Sequence, residues 1–208
     1  MRRKEGAEVP PGYGLLRRAV LLVAWLVWGF TIYGEEKVPR EGPLIVAANH
    51  RRFFDPLFVC MAVPRRIQWM AKKEIFIPPL RPIFRILGAF PVDRSGGGHQ
   101  ALRVALKHLM AGKALGIFPE GTRQRREDPA SAKSGVALLA ARSGARVVPV
   151  YVGPVPSPLA RLRGERFRAY IGDAITIPKE MRGRQELQRA AREVLEEIYN
   201  LPRREERE

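Results

Sequence analysis

The chain reads as a single α/β domain built on a mixed, largely parallel sheet covered by helices on both faces. Two observations lead there. Short apolar runs of strand type alternate with amphipathic helical segments along most of the 208 residues, the order that yields parallel sheets with helical crossovers. In addition, His50, Arg94, Glu120 and Arg123 each fall just after an expected strand, where sheets of this kind place their ligands. The length suits one core of ordinary size, and no internal repeat or long linker divides the chain.

The first stretch is organised differently. Met1-Arg2-Arg3-Lys4 and Arg17-Arg18 precede an apolar run over residues 19–33 that contains Trp25 and Trp28. As a helix this run covers about 22 Å, against about 30 Å for a bilayer core. Leu21, Trp25, Trp28 and Ile32 fall at helical spacing, which favours an amphipathic helix lying on or dipping into a membrane surface. A spanning helix would export the rest of the chain. A signal peptide would need a better cleavage site than Gly29-Phe30-Thr31-Ile32-Tyr33. A helix that packs on the domain is the third reading. The expected division is a basic, membrane-associating segment at 1–34, a globular domain at 35–200 and a charged tail at 201–208.

Within the globular part, Leu44-Ile45-Val46-Ala47-Ala48 is a short buried strand after Gly42-Pro43. Asn49-His50-Arg51-Arg52-Phe53-Phe54-Asp55-Pro56 follows, and Asp55-Pro56 has the order of an N-cap and a first-turn proline ahead of a helix over 57–61. Residues 67–71 form a strand and 80–87 a short helix. Ala89-Phe90-Pro91-Val92 is a strand whose proline places it at an edge or a bulge. Gly96-Gly97-Gly98 marks a turn. Residues 99–110 form an amphipathic helix on Leu102, Leu106 and Leu109, and 114–118 the next strand. A polar loop at 119–132, a small-residue helix at 134–143 and a strand at 147–152 follow. Strands at 166–171 and 174–177 precede a terminal amphipathic helix at 184–199.

The net charge of +16 points to an anionic partner: nucleic acid, an acidic membrane surface, or a phosphorylated or acidic-carrier substrate. Paired zinc ligands and an aromatic ribonucleoprotein strand are both missing, so no nucleic-acid partner is expected. Cys60 is the only cysteine; it allows no intrachain disulfide, and its apolar neighbours make it a buried small hydrophobe. There is no Gly-x-Ser-x-Gly elbow, Walker loop or dinucleotide fingerprint. His99 and His108 stand nine apart on one helix, which is not a metal-ligand spacing.

The chemistry therefore rests on a few residues. His50 leaves a strand end with Asp55 at the next helix start, either a base with its orienting acid or a loop histidine beside a cap. Phe118-Pro119-Glu120-Gly121-Thr122-Arg123 puts a carboxylate and a guanidinium in a tight turn, suited either to a substrate hydroxyl and phosphate or to a local ion pair. Lys72, Lys73, Arg94 and Lys133 are further cations near strand or helix ends.

These residues carry a resemblance. The chain resembles the glycerolipid acyltransferase family, whose four ordered blocks are read here at His50 through Asp55, Gly88 through Arg94, Phe118 through Arg123 and Val148-Pro149-Val150. Ala71-Lys72-Lys73-Glu74-Ile75-Phe76 is similar to the family's lysine-containing segment. The likeness covers residues 36–180. It implies transfer of a fatty acyl group from an acyl thioester to the free hydroxyl of 1-acylglycerol-3-phosphate, giving phosphatidate. It further implies His50 as general base and Asp55 as its orienting acid. Arg94, Lys72 and Arg123 would bind the acceptor's phosphate, and Glu120 in the Gly121 turn its glycerol hydroxyl. No metal or cofactor is implied; acyl-coenzyme A or acyl carrier protein is the co-substrate, and the lysophospholipid sits at the cytoplasmic face of the cell membrane. One departure stands out: Arg52 takes a place where the family often has serine, and with Arg51 it adds charge beside the pair.

Overall fold

The computed structural model describes residues 12–78, 81, 88–92 and 99–205. Among them the strands are β1 (Thr31–Tyr33), β2 (Leu44–Ala48), β3 (Ile67–Lys72), β4 (Ala89–Val92), β5 (Ala114–Ile117), β6 (Arg146–Val152) and β7 (Arg168–Ile171). They form one sheet in the order β1-β7-β6-β2-β5-β3-β4. Every pairing is parallel except β6 with β7. The helices are α1 (Tyr13–Trp28), α2 (Asp55–Ala62), α3 (His99–Met110), α4 (Gly135–Ser143), α5 (Pro158–Leu162) and α6 (Arg184–Glu205). The mixed, largely parallel sheet expected from the sequence is the one observed.

β2 shows why both faces are covered. Its five residues are all buried; Ile45 and Ala47 join one core, while Leu44, Val46 and Ala48 join the other. Side chains alternate across a strand, so a continuous apolar run needs cover on each side. The first face is closed by α3, α4 and α6 through Leu109, Val136, Leu139, Val194, Leu195 and Ile198. The second is closed by α2, with Val20, Leu21 and Trp28 of α1 packed against it.

Two prolines sit where the sheet tolerates them. Pro91 lies on β4, which pairs with β3 alone at the sheet edge, as its lost N–H requires. Pro149 lies inside β6, opposite Ala47 of β2. Its carbonyl accepts from the Gly172 amide at 2.9 Å. Because N–H and C=O of one strand residue face the same side, the missing donor is on the β7 side, just past the last β7 pair at Ile171. The ladder to β2 is intact.

Several sequence expectations need correction. α1 ends at Trp28, where Gly29 turns left-handed at φ 62° and its N–H donates to Trp25 O; Ile32 is therefore on β1, not on a helical face. The boundary at residue 34 cuts through the fold, because β1 is hydrogen-bonded to β7. The 201–208 tail is also misplaced: α6 runs on to Glu205 with Leu201 buried. The strand expected at 174–177 is reduced to one bridge, Val147 to Ile175. Asp55 does not cap α2; it is the helix's first residue, and Phe54 holds the cap position. The 80–87 helix, apart from residue 81, lies outside the described residues. So do Met1 through Lys4, Asp93, Arg94 and the Gly96 turn.

Candidate active site

β2 and β5 lie side by side, and the chain leaving each contributes half of a constellation at their carboxyl ends. From β2 come Asn49 and His50. Asn49 is 1% exposed, and its amide pairs with Val152 of β6 in both directions, donating to the carbonyl at 3.0 Å and accepting the amide at 2.7 Å. A side-chain amide thereby continues the β2–β6 ladder one step past the strand. It fixes the point from which His50 projects.

His50 Nδ1 lies 3.1 Å from Asp55 Oδ2. The same oxygen accepts the Arg51 and Arg52 amides at 2.5 Å each. Asp55 is 1% exposed, so its carboxylate is held by loop donors rather than by water. An ionised carboxylate only accepts, so Nδ1 carries the proton and Nε2 keeps its lone pair. Orienting acid and loop closure are thus one function of one oxygen.

The imidazole is backed by Phe118, with ring centroids 4.0 Å apart and planes 13° apart. Trp69 stacks on the other face of this array, 4.9 Å from Phe118, and donates Nε1–H to Cys60 Sγ. Gly116 makes room for it: a Cβ there would come within 2.6 Å of the Trp69 ring. Gly88, at φ 86°, sits so close to Ile67 O that a Cβ would lie 2.0 Å from it, which lets the chain enter β4 directly beside β3. The stack of indole, phenyl and imidazole restricts His50 to one ring plane.

β5 supplies the second half. Glu120 is 1% exposed and accepts the His50 amide through Oε2 and the Tyr199 hydroxyl through Oε1, both at 2.7 Å. The Gln124 amide then donates to His50 O at 2.8 Å, so the loop after β5 grips the His50 backbone from both sides. Burial pushes the Glu120 carboxyl up to about 7; the Tyr199 and His50 hydrogen bonds and Arg51 act the other way, while Asp55 adds to the rise. Neither Glu120 oxygen is turned to the site surface. Both Glu120 oxygens accept from protein donors where a contact with an acceptor hydroxyl was expected, and the alternative Glu120–Arg123 ion pair is not formed.

Gly121 takes the left-handed conformation at φ 75°, closing the turn, and Arg123 is exposed beyond it. Lys72 ends β3 at the same edge of the sheet. Arg51 Nη2 donates to Glu127 at 2.8 Å, and Glu127 also accepts from Tyr151, whose hydroxyl burial pushes up to about 12. Arg52 Nη1 donates to Gly153 O at 3.2 Å. Both arginines of the departing block are engaged in the loop's own structure. Of the two histidines set aside in the sequence, His108 packs on Phe90 at 4.5 Å.

Sequence reasoning thus located His50, Asp55 and the Glu120 loop, which the fold brings together. It missed Trp69, Gly116 and Tyr199. A glycine inside an apolar strand, with a tryptophan on the strand two before it, was the available signal for the first pair. Tyr199, 79 residues from Glu120, gave none.

Comparison with known proteins places this arrangement. The family model described as Acyltransferase matches residues 29–153. The chain is 31% identical over 145 residues to the 1-acyl-sn-glycerol-3-phosphate acyltransferase of Bacillus subtilis, covering 68% of this chain and 72% of that one. It is 28% identical over 140 residues to the enzyme of the same name from Borreliella burgdorferi, spanning 56% of that protein's length. The fold matches the crystal structure of the 1-acyl-sn-glycerophosphate acyltransferase PlsC from Thermotoga maritima, with a TM-score of 0.63 at 24% identity, over 89% of this chain and 82% of that one. The matched residues begin at the close of α1 and end just past β6, enclosing the whole His50–Asp55–Glu120 assembly, and the chain belongs to the acyltransferase family.

Proposed function

We propose that the protein transfers a fatty acyl group from an acyl thioester to the free hydroxyl of 1-acylglycerol-3-phosphate, giving phosphatidate for phospholipid synthesis. The observation that carries the chemistry is His50, held by Asp55 at Nδ1 and stacked on Phe118, with Nε2 left for an incoming hydroxyl. The acceptor is named from the curated relatives, which bear that activity in their names.

The transfer follows from the geometry. Nε2 takes the hydroxyl proton as the acceptor oxygen forms its bond to the thioester carbonyl carbon. The imidazolium so formed is stabilised by Asp55, as the acid of a serine triad stabilises its histidine. Collapse breaks the carbon–sulfur bond, and the departing thiolate takes the proton from His50. The attacking oxygen belongs to the substrate, so no serine or cysteine nucleophile is needed. Every proton passes through His50, and the route calls on no metal or cofactor beyond the acyl-coenzyme A or acyl carrier protein co-substrate.

Phosphate recognition is assigned to Arg94, which lies outside the described residues, with Lys72 and the exposed Arg123 at the same sheet edge. Guanidinium groups suit a phosphate bidentately. Arg94→Ala should raise KM for the phosphorylated acceptor and leave that for the acyl donor alone. Arg51 and Arg52 each commit one guanidinium contact to the loop, on Glu127 and on Gly153 O.

The site is proposed to work at the cytoplasmic face of a membrane. Among the described residues no helix is long and apolar enough to cross one. The outward side of α1 nevertheless exposes Leu15, Leu22, Val23, Trp25, Leu26 and Val27 by 50–76% each. At roughly 1.5–3 kcal/mol for fully burying each such side chain, covering this face contributes on the order of 5–10 kcal/mol. The net charge of +16 adds attraction to an anionic leaflet.

The test is a panel: purified protein, acyl-coenzyme A or acyl carrier protein, and 1-acylglycerol-3-phosphate, glycerol-3-phosphate or a zwitterionic lysolipid as acceptor, with products read by mass spectrometry. Phosphatidate from the first acceptor is expected. Acylation confined to another acceptor would replace the substrate named here, and none at all would remove the activity.

A further inference from the structure

We propose that Tyr199 is a positioning residue for His50, acting through Glu120 from a helix that lies beyond the matched family segment. Its hydroxyl holds one Glu120 oxygen at 2.7 Å, and the other oxygen is thereby aimed at the His50 amide, also at 2.7 Å. Tyr199 is 5% exposed and Glu120 1%, so water does not substitute for either contact. Tyr199 is on α6, whereas the family match stops at residue 153. The inference rests on the reading of His50 as base for its kinetic consequence, though not for the contact itself.

The physical argument concerns which way a buried carboxyl turns. Ionised, Glu120 accepts one donor on each oxygen and the clamp on His50 is complete. Protonated on Oε2, it would present a hydrogen to the His50 N–H and the clamp would open. Burial works toward the protonated form and places the group near 7, while the Tyr199 and His50 donors work toward the ionised form. The charged and titratable groups around Glu120 are Tyr199 from α6, His50 after β2, Asp55 of α2 and Arg51 of the loop; Glu127 faces Tyr199, whose oxygen also meets the backbone N–H of Asp128. Burial and Glu120 hold the Tyr199 hydroxyl well above its ordinary range, so it remains a donor throughout the working pH.

The experiment uses the full chain and two readouts. The His50 backbone amide is followed by NMR from about pH 5 to 9 in the parent and in Tyr199→Phe, with Glu120→Gln as the reference that isolates the ring's own titration. Removal of the hydroxyl should raise the midpoint of the Glu120-dependent component by about half a pH unit or more. The acid limb of kcat should move the same way while KM for the acyl donor is unchanged. An amide midpoint and acid limb that coincide with the parent's, or a loss of rate uniform across pH, would overturn the proposal and leave Tyr199 with packing alone. Should Tyr199→Phe not fold, 3-fluorotyrosine at position 199, nearly isosteric and a stronger donor, should lower the midpoint; an unmoved midpoint overturns the proposal. The amide readout needs no turnover, so absence of acyl transfer would count against the proposed function and not against this contact.

Discussion

The surroundings of His50 and the outer face of α1 are opposite solutions to the same solvent. Around His50 the buried polar atoms are matched: Asp55 Oδ2 takes three donors, Glu120 two, and the Asn49 amide both partners from Val152. On α1 the apolar atoms are not matched. Val20, Leu21 and Trp28 reach the core, with Trp28 edge-on to Phe58 at 6.3 Å, but the far side leaves large side chains such as Leu22, Trp25 and Leu26 in the open. A region complete in itself needs no partner to hold its shape, and such a region suits a base that must be preorganised. A helix that leaves an apolar face open is complete only when something else covers it. The difference separates the part of the molecule proposed to perform chemistry from the part proposed to meet a membrane.

Four variants break or sharpen that contrast. His50→Ala should leave the fold intact and lower kcat by about 10³-fold, within the usual span for a general base, as read by phosphatidate formation. Next, Leu22→Glu with Leu26→Glu should weaken binding to anionic vesicles by about 30-fold or more, each charge replacing roughly 1 kcal/mol or more of apolar transfer. Activity on a short-chain, water-soluble acceptor should be retained. These two positions test the anchor more cleanly than deletion of 1–34, which would remove β1 from the sheet and uncover the core under Trp28. Third comes a pH effect. With Glu120 raised from 4.5 to about 7, its contribution to stability is whole below about 4.5 and is lost as pH rises through 7. Urea melts should show parent stability falling relative to Glu120→Gln by about 3 kcal/mol across that window. The smallest effect is Phe118→Leu, which removes the ring behind His50; a loss of about 0.5–1.5 kcal/mol of aromatic packing should appear as a several-fold fall in kcat with little change in KM.

What the sequence disclosed follows from range. Leu44 through Ala48, Ala114 through Ile117 and Val147 through Val152 announce themselves because a doubly covered strand is apolar at every position. Pro91 likewise declared an edge, and β4 is one. His50 with Asp55 was legible because both sit within one loop. Contacts between distant segments were not: Tyr199 on Glu120, Trp69 over Gly116, and Gln124 on His50 depend on which strands become neighbours. α1 was misread at its end for a related reason. Its apolar run continues unbroken into β1, so composition alone does not mark the change at Gly29. The capping role expected of Asp55 is not met because the helix already includes it as its first residue, with its Oδ2 turned back to the amides of Arg51 and Arg52.

The central claim is direct transfer, with His50 as base and the substrate's own hydroxyl as nucleophile. Release of free thiol from acyl-coenzyme A, followed by rapid mixing with and without 1-acylglycerol-3-phosphate and paired with intact-protein mass spectrometry after acid quench, tests it most directly. The account predicts thiol release only when acceptor is present, a fall of about 10³-fold in His50→Ala, and no acylated protein. Thiol release without acceptor accompanied by an acyl adduct on the chain, or undiminished release in His50→Ala, would contradict it.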